Sequence, residues 1–143
     1  MNIFNLLFTF QGRINRAKWW LAVLILVVSV VIAVFLMVIP VFGALLMLAT
    51  TIASSVAGIA VGIKRLHDRN KTGWWMLVFY GVPFAMGIVE ASLRLQGFDE
   101  MSGPSLLASV ISLAVGIWAF VELGCLRGSV GPNQYGPDPL AQA

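Results

Sequence analysis

Charge is scarce in this chain. Only 10% of its 143 residues are Asp, Glu, Lys or Arg, against roughly a quarter in an ordinary soluble domain. So few polar groups cannot cover a water-facing surface of this size, which excludes a soluble globule. Disorder is excluded too, because it needs low hydrophobicity and high net charge, whereas 59% of these residues are hydrophobic. Cysteine occurs once, at Cys125, so there is no disulfide framework. At the end of an apolar helix it reads as inert packing rather than a nucleophile. Histidine also occurs once, at His67, which rules out a metal site built from several His and Cys ligands; no metal and no cofactor are assigned. The catalytic templates GxSxG, HExxH, GxxxxGKS/T and CxxC are missing. Basic residues are too few, and too close to apolar runs, for nucleic-acid binding.

What the chain does have is long apolar runs. Its mean hydropathy of +0.93 marks an integral membrane protein, all-α in class. No charge occurs from Trp19 to Ile63, 45 residues in all. One span needs about 20 residues at 1.5 Å rise each, so this stretch holds two. Pro40 and Gly43 punctuate its middle and predict a tight turn between antiparallel helices. Two further uncharged runs follow, Thr72 to Val89 and Met101 to Val121. The expectation is four transmembrane helices at about 19–39, 43–63, 74–93 and 105–126, arranged as two antiparallel hairpins in a single polytopic domain covering 1–143. A Pro/Gly-rich tail, 127–143, follows them. Before the first span, Asn2, Asn5 and Thr9 recur at helical spacing among apolar residues, which predicts a short interfacial helix. The run after Lys18 is too long for a signal-peptide core.

Orientation follows from the basic residues. Arg13, Arg16, Lys18, Lys64, Arg65, Arg69, Lys71 and Arg127 all fall on one side of a four-span topology, and Arg94 alone falls on the other. The positive-inside bias puts both termini and the central loop in the cytoplasm.

Candidate residues cluster in the central loop. In Lys64-Arg65-Leu66-His67-Asp68-Arg69-Asn70-Lys71, Arg65 and Arg69 share one helix face and Lys64 and Asp68 another. Such arginines suit phospholipid phosphates or carboxylates. His67 and Asp68 are chain neighbours and do not face each other on a helix, which argues against a catalytic pair. Trp19-Trp20 and Trp74-Trp75 begin spans just beyond basic residues and read as interfacial anchors. Glu90 and Glu122 are the membrane carboxylates; Glu90 has Arg94 four residues on as a natural ion-pair partner. Small residues recur every fourth position at Thr50, Ser54, Gly58 and Gly62, with further ones at Gly81, Ala85, Ala108, Ser112 and Gly116, and predict close helix packing.

Three segments together resemble a known family. Phe10-Gln-Gly12-Arg13-Ile-Asn-Arg16-Ala-Lys-Trp19-Trp20, then Arg65-Leu66-His67-Asp68 followed by Thr72-Gly73-Trp74-Trp75, and finally Asn133-Gln-Tyr135-Gly136-Pro137-Asp138-Pro139 are similar to the small bacterial inner-membrane proteins called YhaH-like (DUF805). Lys18 stands where that family usually carries an acidic or polar residue. The resemblance implies a polytopic inner-membrane domain and brings no established activity, substrate or cofactor. By the topology above all three motifs face the cytoplasm, so Arg13, Arg16, Arg65, His67, Asp68, Arg69, Asn133, Tyr135 and Asp138 are expected to form one polar cap that docks anionic lipid headgroups or a partner protein. The favoured reading is a non-enzymatic scaffold or accessory subunit, with a membrane-protein partner or a second copy of itself. The alternative is a small oligomeric channel or transporter, and a lipid-headgroup enzyme using His67 and Asp68 is third.

Overall fold

The computed structural model describes residues 2–141, so the last two residues of the expected tail lie outside it. The described chain is all-helical, with an isolated Asn133–Gly136 bridge in the tail. In order it contains α1 (Ile3–Phe8), α2 (Arg16–Leu36), α3 (Pro40–Asp68), α4 (Val82–Leu95) and α5 (Gly103–Phe120), with π-helical turns at Leu77–Gly81 and Val121–Cys125. Four helical stretches are long and apolar enough to cross a membrane: Arg16–Leu36, Pro40–Asp68, Leu77–Leu95 and Gly103–Cys125. Their side chains fit that solvent. Leu24, Ile32 and Phe35 on α2 are 59%, 53% and 76% exposed, an apolar surface that only lipid or another protein can cover.

The chain divides into two compact units. The first holds the residues up to Gly73 and the tail from Arg127; the second is Trp74–Leu126. In the first, α2 ends at Leu36 and a short turn leads to Pro40, which opens α3. Proline suits that position because its missing N–H has no helical partner there and its φ is already helical. Gly43, expected in the turn, lies inside α3's first turn. A Cβ there would collide with the Leu36 carbonyl, so glycine is what lets the two chain segments come this close.

α3 packs against α1 and α2. Its inward face runs through Gly43, Ala57, Val61, Lys64 and Asp68, all buried, with Thr50 and Ser54 half-buried between. That path repeats every 3.5 residues, as in coiled-coil seams. The expected fourth-position stripe therefore holds at Thr50 and Ser54 and then passes to Ala57 and Val61, although Gly62 is buried as well. At 29 residues α3 is about 44 Å long, against a hydrocarbon thickness of about 30 Å. Its charged last turns therefore have room to stand at the headgroup level.

In the second unit α4 and α5 pack together. Pro83 has no N–H to donate and its ring crowds the carbonyl four residues back. The π turn Leu77–Gly81, immediately before, shifts the hydrogen-bond register where that donor is missing. Trp118 of α5 meets Trp75 and Phe79 edge-on, each at 5.3 Å between ring centroids, and Ser105 and Ala108 are buried. By contrast, a Cβ on Gly81 or Gly116 would meet open space. Large rings and the Ser105–Ala108 turn carry this packing, rather than the small residues at Gly81 and Gly116.

Candidate functional site: a polar cap on the end of α3

The last turns of α3 present Lys64, Arg65, His67 and Asp68, and each side chain has a different assignment. Arg65 and Asp68 are three apart and form a buried ion pair from Arg65 Nη1 to Asp68 Oδ2. Arg13 arrives from the segment before α2 and donates Nε and Nη2 to the other oxygen, Oδ1, at 3.2 and 3.1 Å. One carboxylate is thus held between two guanidinium groups. Arg13 also reaches the tail: Nη2 donates to the Ser129 carbonyl at 2.7 Å, and Nη1 to the carbonyls of Gly131 and Gly136 at 2.8 and 3.2 Å. Its planar fork is suited to this, since it offers five donors in fixed directions. The side chain is only 1% exposed, so every donor left without an acceptor would cost desolvation energy.

The tail is tied down by its own motif. Asn133 Nδ2 donates to the His67 carbonyl and to Ser129 Oγ, both at 2.9 Å, while Asn133 Oδ1 accepts the Tyr135 N–H. Tyr135 stacks on His67 with ring centroids 3.8 Å apart and planes within 4°. His67 Nδ1 lies 3.3 Å from the Gly12 carbonyl. Asp138 accepts backbone N–H groups from Leu140 and Gly131, each at 2.9 Å. Those two bonds hold its carboxyl below the usual carboxylate range. The Ser129 N–H and hydroxyl bond the Asp68 carbonyl at 2.8 and 3.1 Å. Gly128 crosses so near Asp68 that a Cβ would overlap its carboxylate.

The structure thus brings Arg13, Arg65, His67, Asp68, Asn133, Tyr135 and Asp138 into one cluster within the first unit. Arg16 is exposed at the start of α2 and lines a cleft beside Asp68. Arg69 donates to the Arg127 carbonyl at 3.0 Å. Lys64 does not share the carboxylate of Asp68. Instead Lys64 Nζ turns to the end of α1, donating to the carbonyls of Asn5 and Leu6 at 2.9 and 2.6 Å and to Thr9 Oγ1 at 3.3 Å. The ammonium sits where the helix dipole and the unsatisfied carbonyls favour a cation. It was missed as a site residue because the short α1 lies nearly sixty residues away in sequence. Ser129, Gly128 and Arg127 were missed for a like reason: nothing in local spacing couples them to Asp68.

The remaining candidates are spread out. Trp19 is buried and Trp20 outward, and they meet edge-on at 4.8 Å. Trp74 is 76% exposed, and Trp75 faces Trp118. The expected Glu90–Arg94 pair is not formed. Glu90 accepts the Ser109 hydroxyl at 2.7 Å, and Arg94 pairs with Glu100 at 2.9 Å, because the loop after α4 brings a second carboxylate within its reach. Glu122 is buried in the second π turn. Cys125, expected to pack inward, is exposed: it is the last residue of that turn, where the helix gives way to extended chain at Leu126.

The DUF805 family pattern, described as a protein of unknown function, matches residues 7–137 and so takes in the cap from Arg13 to Tyr135, with Asp138 one residue beyond it. The chain belongs to the DUF805 family. Similar proteins in Escherichia coli (strain K12) include "Inner membrane protein YhaI", 26% identical over 91% of this chain and 85% of that protein. "Uncharacterized protein YiiR" is 28% identical over 96% and 90% of the two chains. "Inner membrane protein YhaH" is 23% identical over 91% and 86%. No solved structure matches. With its four long apolar helices, this DUF805 chain is a membrane protein, as the names of YhaI and YhaH say of those two relatives.

Proposed function

We propose that this protein is a non-enzymatic scaffold or accessory subunit of the bacterial inner membrane. In this reading its four long helices form two antiparallel hairpins within a single polytopic domain. α1 lies in the interface, and both termini and the polar cap face the cytoplasm. The cap is then a docking platform for other membrane components, whether protein or lipid.

The observation that carries this reading is the state of Asp68. Both of its oxygens are taken by guanidinium groups, and His67 is stacked on Tyr135 with Nδ1 toward a backbone carbonyl. A general base needs a carboxylate or imidazole able to reach a substrate proton. This cluster instead uses its polar groups on each other, as a rigid recognition surface does.

The test is native mass spectrometry of protein gently extracted from its own membrane. The expected result is a membrane protein held at fixed stoichiometry and released by Tyr135→Ala, which loosens the tail. Turnover or specific ion flux by the purified chain alone would overturn the proposal. One observation favours the channel alternative: Glu90 and Ser109 make a polar contact between α4 and α5, and carboxylates within such helices commonly mark ion paths. That alternative predicts liposome flux abolished by Glu90→Gln.

A further inference from the structure

Beside the Asp68 cluster the first unit contains a cleft of about 320 Å³. Three arginines from separate parts of the chain border it: Arg16 at the start of α2, Arg127 at the start of the tail, and Arg65 near the end of α3, whose side chain is fully buried against Asp68. Two carboxylates, Asp68 and Asp138, also line it. Each is already bonded, Asp68 to Arg13 and Arg65 and Asp138 to two backbone N–H groups. The cations outnumber the anions before Arg13, behind Asp68, is considered. Arg127 is exposed, and it is its carbonyl, not its guanidinium, that Arg69 holds. Arginine at such a site matches the oxygens of a phosphate in pairs.

The size narrows the occupant. Small-molecule pockets begin at roughly 300 Å³, so this cleft exceeds a bare phosphate and suits a phosphoryl group bearing a few more heavy atoms. Ala17, Val130 and Leu140 supply an apolar part of the lining, where a glycerol stem can lie. The cleft is built on the charged ends of α2 and α3, two helices long enough to cross a membrane.

We infer that the cleft between Arg16 and Arg127, over the buried Arg65–Asp68 pair, binds a phosphodiester anion of the glycerophosphate class, as carried by anionic phospholipids. This rests on the docking reading above and names the ligand of that platform. The Arg13–Asp68–Arg65 cluster is then structural, and Arg16 and Arg127 are the ligand-facing charges.

The test uses the full-length protein and two probes: phosphatidylglycerol in mixed vesicles with phosphatidylethanolamine, and soluble glycerophosphoglycerol. Arg16→Gln/Arg127→Gln removes two exposed charges and keeps Arg13, Arg65 and Asp68 in place; its melting profile is recorded beside the wild type, and binding is compared at a temperature where both are folded. Lys18→Gln/Lys71→Gln makes the same charge change outside the cleft. The expected result is retention of phosphatidylglycerol by wild type and the lysine variant, with at least a tenfold loss of affinity in the arginine variant. Displacement of that lipid by glycerophosphoglycerol places recognition in the headgroup. Binding of glycerophosphoglycerol with no preference for the lipid assigns the same chemistry to a soluble ligand. Equal affinity of wild type and arginine variant for both probes, or an equal loss in the lysine variant, would overturn the assignment. If the arginine variant binds both probes like wild type yet keeps a protein partner, the cleft assignment fails while the docking proposal stands.

Discussion

Removal of the Asp68 carboxylate has a definite expected cost. Two guanidinium groups, 1% and 0% exposed, meet on it. Taking one partner from a buried ion pair leaves an uncompensated charge and typically costs about 3–5 kcal/mol. Asp68→Asn is therefore expected to destabilise the protein by about that much, read as a fall in melting temperature in detergent, and to free the tail to proteolysis; an unchanged melting curve would refute the cluster's role. Gly128→Ala is expected to cost about 1–3 kcal/mol by overpacking against the same carboxylate, on the same readout. Asp138 gives a pH prediction with a fixed sign. Its carboxyl is held low in the folded chain by the Leu140 and Gly131 N–H groups. The tail stabilisation it supplies is therefore complete above the ordinary aspartate pKa and lost as pH falls through the lower folded value. The Leu140 and Gly131 amide resonances should titrate together below the ordinary aspartate range. A midpoint at or above that range, or persistence in Asp138→Asn, would contradict this.

Among the elements, α1 depends on a residue far from it. Six residues are too few for a stable isolated helix. α1 has an N-cap in Asn2, whose Oδ1 accepts the Asn5 N–H at 2.8 Å, but its other end rests on Lys64. Hydrogen bonds that involve a charged group contribute about 1.5–3 kcal/mol each. Lys64→Met keeps the stem's packing and removes the ammonium. It is expected to raise hydrogen exchange across residues 3–9 at least tenfold while α2 and the tail keep their protection. Unchanged exchange in α1 would show that Leu6 and Leu7, both buried, hold it without the lysine.

For the molecule as a whole, charge distribution governs the expected topology. Eight of the nine basic residues lie at or beyond three helix ends that share one side of a four-span topology: the start of the first long helix, the stretch from the end of the second to the third, and the segment after the fourth. Reporter fusions at either terminus should therefore give cytoplasmic signals, and a periplasmic signal at one of them would overturn the two-hairpin arrangement. The four long apolar helices were legible in the sequence because lipid demands uninterrupted apolar runs of fixed length, and the chain's few charges sit outside those runs. Membership of the cap was also legible in part, since Arg13, Arg65, Asp68 and Asn133 stand in dense polar motifs. Which of them touch was not. Helical spacing put Asp68 on one face with Lys64, and Arg65 on another with Arg69; the packing of α1 against α3 drew Lys64 away, and Asp68 pairs with Arg65 instead. The Glu90–Arg94 pair failed similarly, because a loop carboxylate and a serine on the facing helix competed successfully for the two groups. Class and span number come from a property summed over many residues, the transfer of apolar side chains into lipid, which one sequence states fully. The assembly of the cap comes from a few directional bonds between segments more than fifty residues apart, and their partners are decided only when folding brings the two ends of α3's surroundings together.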